Sequence, residues 1–304
     1  MRDSTSKDKM KETLAVIGAK SMIGSQFCQQ AEGEFALIRA DLPEIDITKK
    51  DLVENFFKHN SFQWAILFSA ITDVTGSEKE RDNKNGPTWQ VNVDGTRNVA
   101  QMCKSYSRGL IFFSTDFVFD GTNGPYSEDD PTGPDLKKIS WYGITKIEGE
   151  KIVAQVTSHI ILRISYPYSG KDTGKEDLFL RIVKRYERGE LYPMYTDQTI
   201  TPTYIGDIEP ALKLLFARQA RGIIHLASPQ PVTQYDFARY AIDESKIKGP
   251  KPLETKSILE DQKNENFVPR PQNSALKVDK IRSLGFEPTP WQQGIDKSIS
   301  LWIK

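Results

Sequence analysis

The stretch "TLAVIGAKSMIGSQFCQQAE", residues 13–32, runs from an apolar, β-forming segment into a helix-period one through a turn that holds Gly18 and Gly24. The pattern predicts a strand over 13–19 and a helix over 23–32. Glycine at such a junction lets the backbone approach a pyrophosphate, and a helix N-terminus favours the negative charge there. Ser21 occupies the middle position of what would otherwise be a three-glycine pattern, and serine reaches positive φ less freely than glycine. Gly18, Lys20, Ser21, Met22, Ile23 and Gly24 are expected to form a dinucleotide-binding turn. A tight turn with no ligand is the plainer alternative.

The same strand–helix unit repeats along the first half of the chain. Strands are expected over 35–41, 64–70, 109–119 and 159–165, helices over 49–60, 88–107 and 142–156, and a polar loop over 75–87. Continuous apolar strands suit a parallel sheet covered on both faces, so the expected fold is α/β, a doubly wound Rossmann-type sheet. After about residue 166 the rhythm breaks. Helices over 178–189, 208–219 and 233–245 and a strand over 222–228 are separated by proline-bearing segments such as "KGPKPLETKSI" and "NFVPRPQNSAL". Proline cannot donate to a sheet ladder, so residues 166–304 are assigned mainly to a smaller substrate-binding lobe, with a return of the chain to the sheet domain left open. Residues 13–165 are assigned to the dinucleotide domain, and the polar start, 1–12, to a disordered tail.

The second strand ends in Asp41, 23 residues after Gly18, where a carboxylate would meet an adenosine ribose 2′-hydroxyl. A carboxylate there repels a 2′-phosphate, which favours NAD(H) over NADP(H). Arg39 and Lys20 pull the other way, since either suits a phosphate. Asp46, in "EIDIT", either caps the next segment or meets the adenine amine. Ile47 beside it is placed with the cofactor contacts.

Lysine plus arginine total 41 and aspartate plus glutamate total 41, so the chain has no net charge. Non-specific grip on nucleic acid usually needs a basic excess, so that class is disfavoured. Runs such as "WAILF" and "LIFF" are too short to span a bilayer, and the polar start lacks the apolar core of a signal peptide. Cys28, Cys103 and three scattered histidines show no metal-ligand spacing, and two lone cysteines suit a reducing compartment. A cytoplasmic protein without metal, membrane or nucleic-acid partners is expected.

In "ISWYGITKIEGE" (139–150) Tyr142 and Lys146 stand four positions apart, on one face of a helix. A free phenol is a poor acid–base catalyst at neutral pH; a neighbouring ammonium stabilises the phenolate and brings it closer to working range. The preceding strand ends with Ser114 and Thr115, at the sheet edge where open α/β proteins bind ligands. Each feature alone has an ordinary explanation, a surface helix pair or a capped turn. Their order along the chain is far more specific than any one of them.

These segments, with "VNVDGTRNVA", "FFSTDFVFDGTNGPYSEDDP", "TPTYIGD" and "RPQNSAL", resemble the extended short-chain dehydrogenases/reductases, and within them the dTDP-4-dehydrorhamnose reductase family, over roughly residues 13–302. The resemblance implies a nucleotide-sugar substrate, with NAD(H) or NADP(H) as cofactor. By it Thr115, Tyr142 and Lys146 form the catalytic trio. Tyr142 would protonate the sugar C4 ketone as the nicotinamide delivers hydride, Lys146 would hold the nicotinamide ribose and Thr115 would orient the ketone. Asn92 matches a bracing asparagine, and bonding backbone inside its helix is its ordinary alternative. Ser69 and Ala70 match small residues under the dinucleotide, Arg270 faces the diphosphate, and Thr72, Asp116 and Tyr166 are placed with the substrate.

The chain departs from that pattern at Leu67 and Phe68, where smaller or polar residues would leave more room for a cofactor, and at Tyr166, where tryptophan is usual. The same segments also resemble a non-catalytic relative, the β subunit of methionine adenosyltransferase, so a regulatory subunit is the second expectation. A nucleotide-sugar epimerase or dehydratase is the third. A homodimer stays open.

Overall fold

The structure, a computed structural model, describes residues 11–302. The tail expected over 1–12 lies outside them apart from its last two residues.

The first half alternates as β1 (Thr13–Ile17), α1 (Met22–Ala31), β2 (Ala36–Ala40), α2 (Lys50–His59), β3 (Trp64–Leu67), α3 (Val74–Glu78), α4 (Pro87–Trp89), a π-helical turn (Gln90–Gly95), α5 (Thr96–Ser105), β4 (Gly109–Thr115), α6 (Trp141–Val153) and β5 (His159–Ile164). The second half holds α7 (Leu178–Glu187), β6 (Met194–Tyr195), β7 (Thr199–Ile200), α8 (Ile208–Ala217), β8 (Gly222–His225), β9 (Val232–Thr233), α9 (Gln234–Ser245), β10 (Thr255–Lys256), α10 (Ile258–Asp261), α11 (Asp279–Ser283) and α12 (Trp291–Trp302).

Six parallel strands pair in the order β2-β1-β3-β4-β5-β8. The period of two sends alternate side chains to opposite faces. Leu14 and Val16 join Phe27, Ile66 and Phe113 on one face, while Ala15 and Ile17 join Val53, Leu67 and Phe112 on the other. β4 is buried along its whole length, whereas β2, at the sheet's edge, leaves Ala36 and Arg39 exposed. The strand order reverses between β1 and β3, which opens a crevice beyond their carboxyl ends.

The chain after residue 166 divides its residues. β8 completes the sheet beside β5, and Ile205, Leu212, Leu226 and Ile281 join the first core face. A separate core of Tyr168, Phe179, Val183, Phe237, Trp291 and Ile295 builds the lobe. Among the described residues no helix is long and apolar enough to cross a membrane.

Two local expectations are corrected. The polar loop expected over 75–87 begins with α3, capped by the Asp73 carboxylate accepting from the Gly76 N–H at 3.0 Å. Its "VTGSE" is poor in helix formers, so tertiary contacts hold it: the Glu78 carboxylate accepts the Trp141 N–H at 2.7 Å. The helix expected over 88–107 is interrupted by the π turn at Gln90–Gly95, a distortion that often marks functional positions.

Candidate active site

The glycine turn follows from local chemistry. Gly18 has φ +88, and a Cβ there would lie 2.6 Å from the Ser69 nitrogen, so β3's end packs directly on the turn. Ser21 needs no positive φ: it sits at φ −66 and caps α1, its hydroxyl accepting the Gly24 N–H at 3.0 Å. The residue that weakened the glycine pattern is therefore the helix cap, a role serine fills better than glycine. Asp41 reaches the same turn, its two oxygens accepting the backbone N–H groups of Lys20 at 2.7 Å and Leu42 at 2.9 Å.

A cleft of about 440 Å³ lies beyond the strands' carboxyl ends. Of the expected residues, Ser21, Met22, Ile23, Ala70, Thr72, Thr115, Asp116, Tyr142, Lys146, Tyr166 and Arg270 all line it. Phe68 lines it too, but it does not plug it. Its ring packs on Phe113 at 4.3 Å and Phe27 at 5.7 Å, which makes it part of the wall.

Helix α6 delivers Tyr142 and Lys146. Ser140 caps it, its hydroxyl accepting the Gly143 N–H at 3.2 Å, and Trp141 stacks on Trp89 at 5.4 Å. Asn92, fully buried in the π turn, ties the site together. It accepts the Ile71 N–H at 2.8 Å and donates to the Ile71 carbonyl at 2.9 Å and to the Thr145 hydroxyl at 3.0 Å. It thus braces the loop after β3 against α6 and stays out of the cleft wall. Gly143 lets α6 approach the strand end, because a Cβ there would strike the Phe117 carbonyl.

The electrostatics differ from the expectation that Lys146 would acidify Tyr142. Burial pushes the phenol's pKa well up; the Thr115 hydroxyl draws it partly back and the Asp116 charge adds to the rise. Lys146 is pulled down to about 7 by the same burial, against which Glu150 pulls it up. The Lys146 ammonium lies 3.9 Å from the centre of the Phe112 ring, a cation–π seat. Asp116 is raised to about 6 by burial although the hydroxyls of Ser274 (2.5 Å), Ser165 (3.0 Å) and Thr115 (3.1 Å) all donate to it.

Besides Gly18, Gly24, Asp41, Ser69 and Asn92, four expected cofactor contacts lie outside the lining of this cleft and are engaged by other parts of the protein. Arg39 pairs with Glu32 at the exposed sheet edge, and the Lys20 ammonium donates to the Leu42 carbonyl at 3.1 Å. Asp46 caps its own turn, accepting from the N–H (2.9 Å) and hydroxyl (2.7 Å) of Thr48. Ile47 is buried in the core under α5, over Gly95. Ile47 turns inward with Ile45, and the two isoleucines bury the loop's apolar face in the same core.

Other cleft residues were not anticipated. Arg181, one turn into α7, lines the cleft with Arg270 and Lys175, and its Nε is buried with no partner among the described residues. Beneath Lys146, Glu150 accepts from Arg163 Nε at 2.9 Å and Nη2 at 2.7 Å and from the Ser114 hydroxyl at 2.5 Å. The arginine in "IILRIS" was a usable signal, since a charge in a buried strand demands a partner.

A doubly wound sheet, a capped glycine turn and a buried Tyr-x-x-x-Lys helix beside a strand-end threonine define an extended short-chain dehydrogenase/reductase. Within that class the chain belongs to the family described as RmlD substrate binding domain, which matches residues 11–302. It is 28% identical over 296 residues to a dTDP-4-dehydrorhamnose reductase of Aggregatibacter actinomycetemcomitans, covering 93% of this chain and 96% of that one. It is 27% identical over 228 residues to methionine adenosyltransferase 2 subunit beta of Pongo abelii, covering 72% of this chain and 65% of that one. A crystal structure of dTDP-4-dehydrorhamnose reductase from Bacillus anthracis in complex with NADP superposes with a TM-score of 0.85 at 25% identity, covering 96% of this chain and 99% of that one.

Proposed function

We propose that this protein reduces the 4-keto group of a nucleotide-linked deoxysugar with a nicotinamide coenzyme. What carries the reading is one arrangement: Thr115, Tyr142 and Lys146 line a single cleft together with the start of α1 and Arg270. A bound coenzyme would supply hydride. Tyr142, held protonated by burial, gives its proton to the developing alkoxide, and Thr115 orients the carbonyl from the strand end. Lys146 holds the ribose hydroxyls. Arg270 and Arg181 grip the diphosphate, which a planar guanidinium suits.

NAD(H) is the favoured coenzyme. The Asp41 carboxylate is fixed on the glycine turn by two backbone N–H groups, while Arg39 and the Lys20 ammonium are engaged away from it. The NADP bound in the Bacillus anthracis relative makes the comparison of the two coenzymes the first measurement.

Coenzyme oxidation with a dTDP-4-keto-6-deoxy sugar, followed by absorbance, tests the reading. Tyr142→Phe should lower turnover by about 10²–10⁴ while leaving coenzyme affinity, read by fluorescence titration, within about twofold. Wild-type protein that oxidises neither coenzyme would sink it. The likeness to methionine adenosyltransferase 2 subunit beta makes a regulatory subunit the second reading, and that result would favour it.

A further inference from the structure

We propose that Gln198 and Gln234 form a directional hydrogen-bond relay that fixes the Tyr166 phenol as a donor into the cleft, where it selects a sugar carrying an acceptor oxygen. The proposal rests on the nucleotide-sugar reading above and adds two positioning residues to it.

Tyr166 is a backbone outlier. It follows the end of β5 by two residues with φ +41, a region a bulky side chain rarely adopts, and it precedes Pro167, which narrows its choices further. The residues on either side hold it there. The Ser165 N–H donates to the Thr203 hydroxyl at 3.0 Å, the Thr203 N–H to the Ser165 carbonyl at 2.7 Å, and the Tyr168 N–H to the Thr203 carbonyl at 3.0 Å. The strained backbone carries the ring to the cleft wall beside Phe117, centroids 5.9 Å apart.

The direction of the relay follows from donor and acceptor counting. It starts at the Pro271 carbonyl, which can only accept. Gln198 therefore presents its amide nitrogen there, donating at 2.8 Å, and must turn its oxygen to Gln234. Gln234 answers with its own nitrogen, donating at 2.6 Å. Its second N–H then points to the Tyr166 oxygen at 3.3 Å. The phenol is thus the acceptor of the last link, and its own proton, with no acceptor among the described residues, is left for the cleft. Gln198 is fully buried and Gln234 is 9% exposed, so solvent does not reset either amide. The same Pro271 carbonyl follows Arg270, so one relay spaces the phenol from the diphosphate-facing guanidinium. A donor fixed in this way demands an oxygen on the sugar, hydroxyl or ring, and a methylene in its place leaves it unpaired.

Calorimetric binding of dTDP-glucose, with dTDP as the sugarless control, tests the relay in the full chain. Tyr166→Phe should weaken dTDP-glucose about fivefold, the scale of one neutral hydrogen bond, and leave dTDP within about twofold. Gln234→Glu turns the last link round, because a carboxylate accepts the phenol's proton, and should match that loss. Combining the two should cost no more than Tyr166→Phe alone. Gln234→Met, which adds no charge and guards against a folding failure, should give a smaller loss in the same direction. Wild-type affinity in Gln234→Glu, full additivity with Tyr166→Phe, or a wild type that binds dTDP-glucose no better than dTDP would each overturn the relay. The expected binding pattern without coenzyme oxidation would support the relay while removing the reductase reading.

Discussion

Glu150→Gln probes the foundation of the site. Glu150 stands one helical turn after Lys146, its side chain 8% exposed, and its partner Arg163 is 1% exposed. Three hydrogen bonds converge on the carboxylate, two from Arg163 and one from Ser114. A glutamine offers one oxygen and two N–H groups, so one arginine contact becomes donor against donor and the guanidinium loses its counter-charge. His225, 3.3 Å from Arg163 Nη1, gives no help: burial and the arginine's own charge lower its pKa to about 3, so it is neutral. Breaking a buried pair in this way costs about 3–5 kcal/mol. At roughly 2 °C per kcal/mol for a chain of this size, the melting midpoint should fall by roughly 6–10 °C.

The variant should also act on Lys146. Burial pulls that amine down to about 7 and the Glu150 charge opposes the pull. Without the carboxylate, the pH below which Lys146 is charged moves further to acid, and coenzyme affinity measured against pH should follow. Thermal unfolding by circular dichroism and coenzyme titration across pH read the two effects separately. Glu148→Gln is the control. Its bond to Lys151 at 2.7 Å is exposed, so it should move the midpoint by no more than about 2 °C. A Glu150→Gln protein melting within about 1 °C of wild type, or one whose binding profile does not shift to acid, would refute the reasoning.

Three further outcomes are expected. Between about pH 7 and 10.5 the unfolded chain holds the Lys146 proton that the folded protein has released, so this residue makes stability rise with pH across that window. Lys146→Met should therefore melt above wild type near about pH 6 and lose the advantage by about pH 10, in thermal scans at several pH values. Glu32→Ala frees Arg39 from its partner and should improve the NADPH-to-NADH affinity ratio about threefold to tenfold, with Asp41→Ala acting in the same direction, by fluorescence titration. Arg181→Ala should raise the KM for a keto-sugar nucleotide about tenfold with kcat within about twofold, in steady-state kinetics.

Periodicity made the sheet legible because a strand buried on both faces has no choice of residue: "WAIL", "LIFF" and "IILRI" admit little else. The same argument fails where structure rests on partners distant in the chain. Nothing in "VTGSE" announces α3, which exists through a cap and a contact to Trp141. The π turn is equally silent, since it answers to Asn92 meeting Ile71 and Thr145. Ser21 was legible as a departure from glycine and illegible as a cap until its φ was known. Eleven of the expected site residues line one cleft because motif order fixes which strand ends they occupy. Ile47 and Asp46 do not, because a loop's facing is set by what it can bury. Gln198 and Gln234 lie outside every motif, and only the folded chain brings them to Tyr166.

The four-residue spacing of Tyr142 and Lys146 carried a chemical expectation that the structure reverses in part. A shared helical face is not a contact. The Lys146 ammonium sits on the Phe112 ring, and the phenol's pKa is governed by burial, with Thr115 and Asp116 as its neighbours. For a reduction this is the useful state. A donor that must protonate an alkoxide has to keep its proton until the hydride has moved, and a buried phenol does so throughout the neutral range. The amine, drawn down to about 7, is only partly charged in the free protein, so an arriving anionic ligand would favour its protonated form and charge the site as it fills. Coenzyme binding should then take up protons at about pH 8 and take up fewer at about pH 5, where Lys146 already carries its charge. Calorimetry in buffers of different ionisation enthalpy measures that uptake, and an uptake independent of pH would show that burial does not set the state of Lys146.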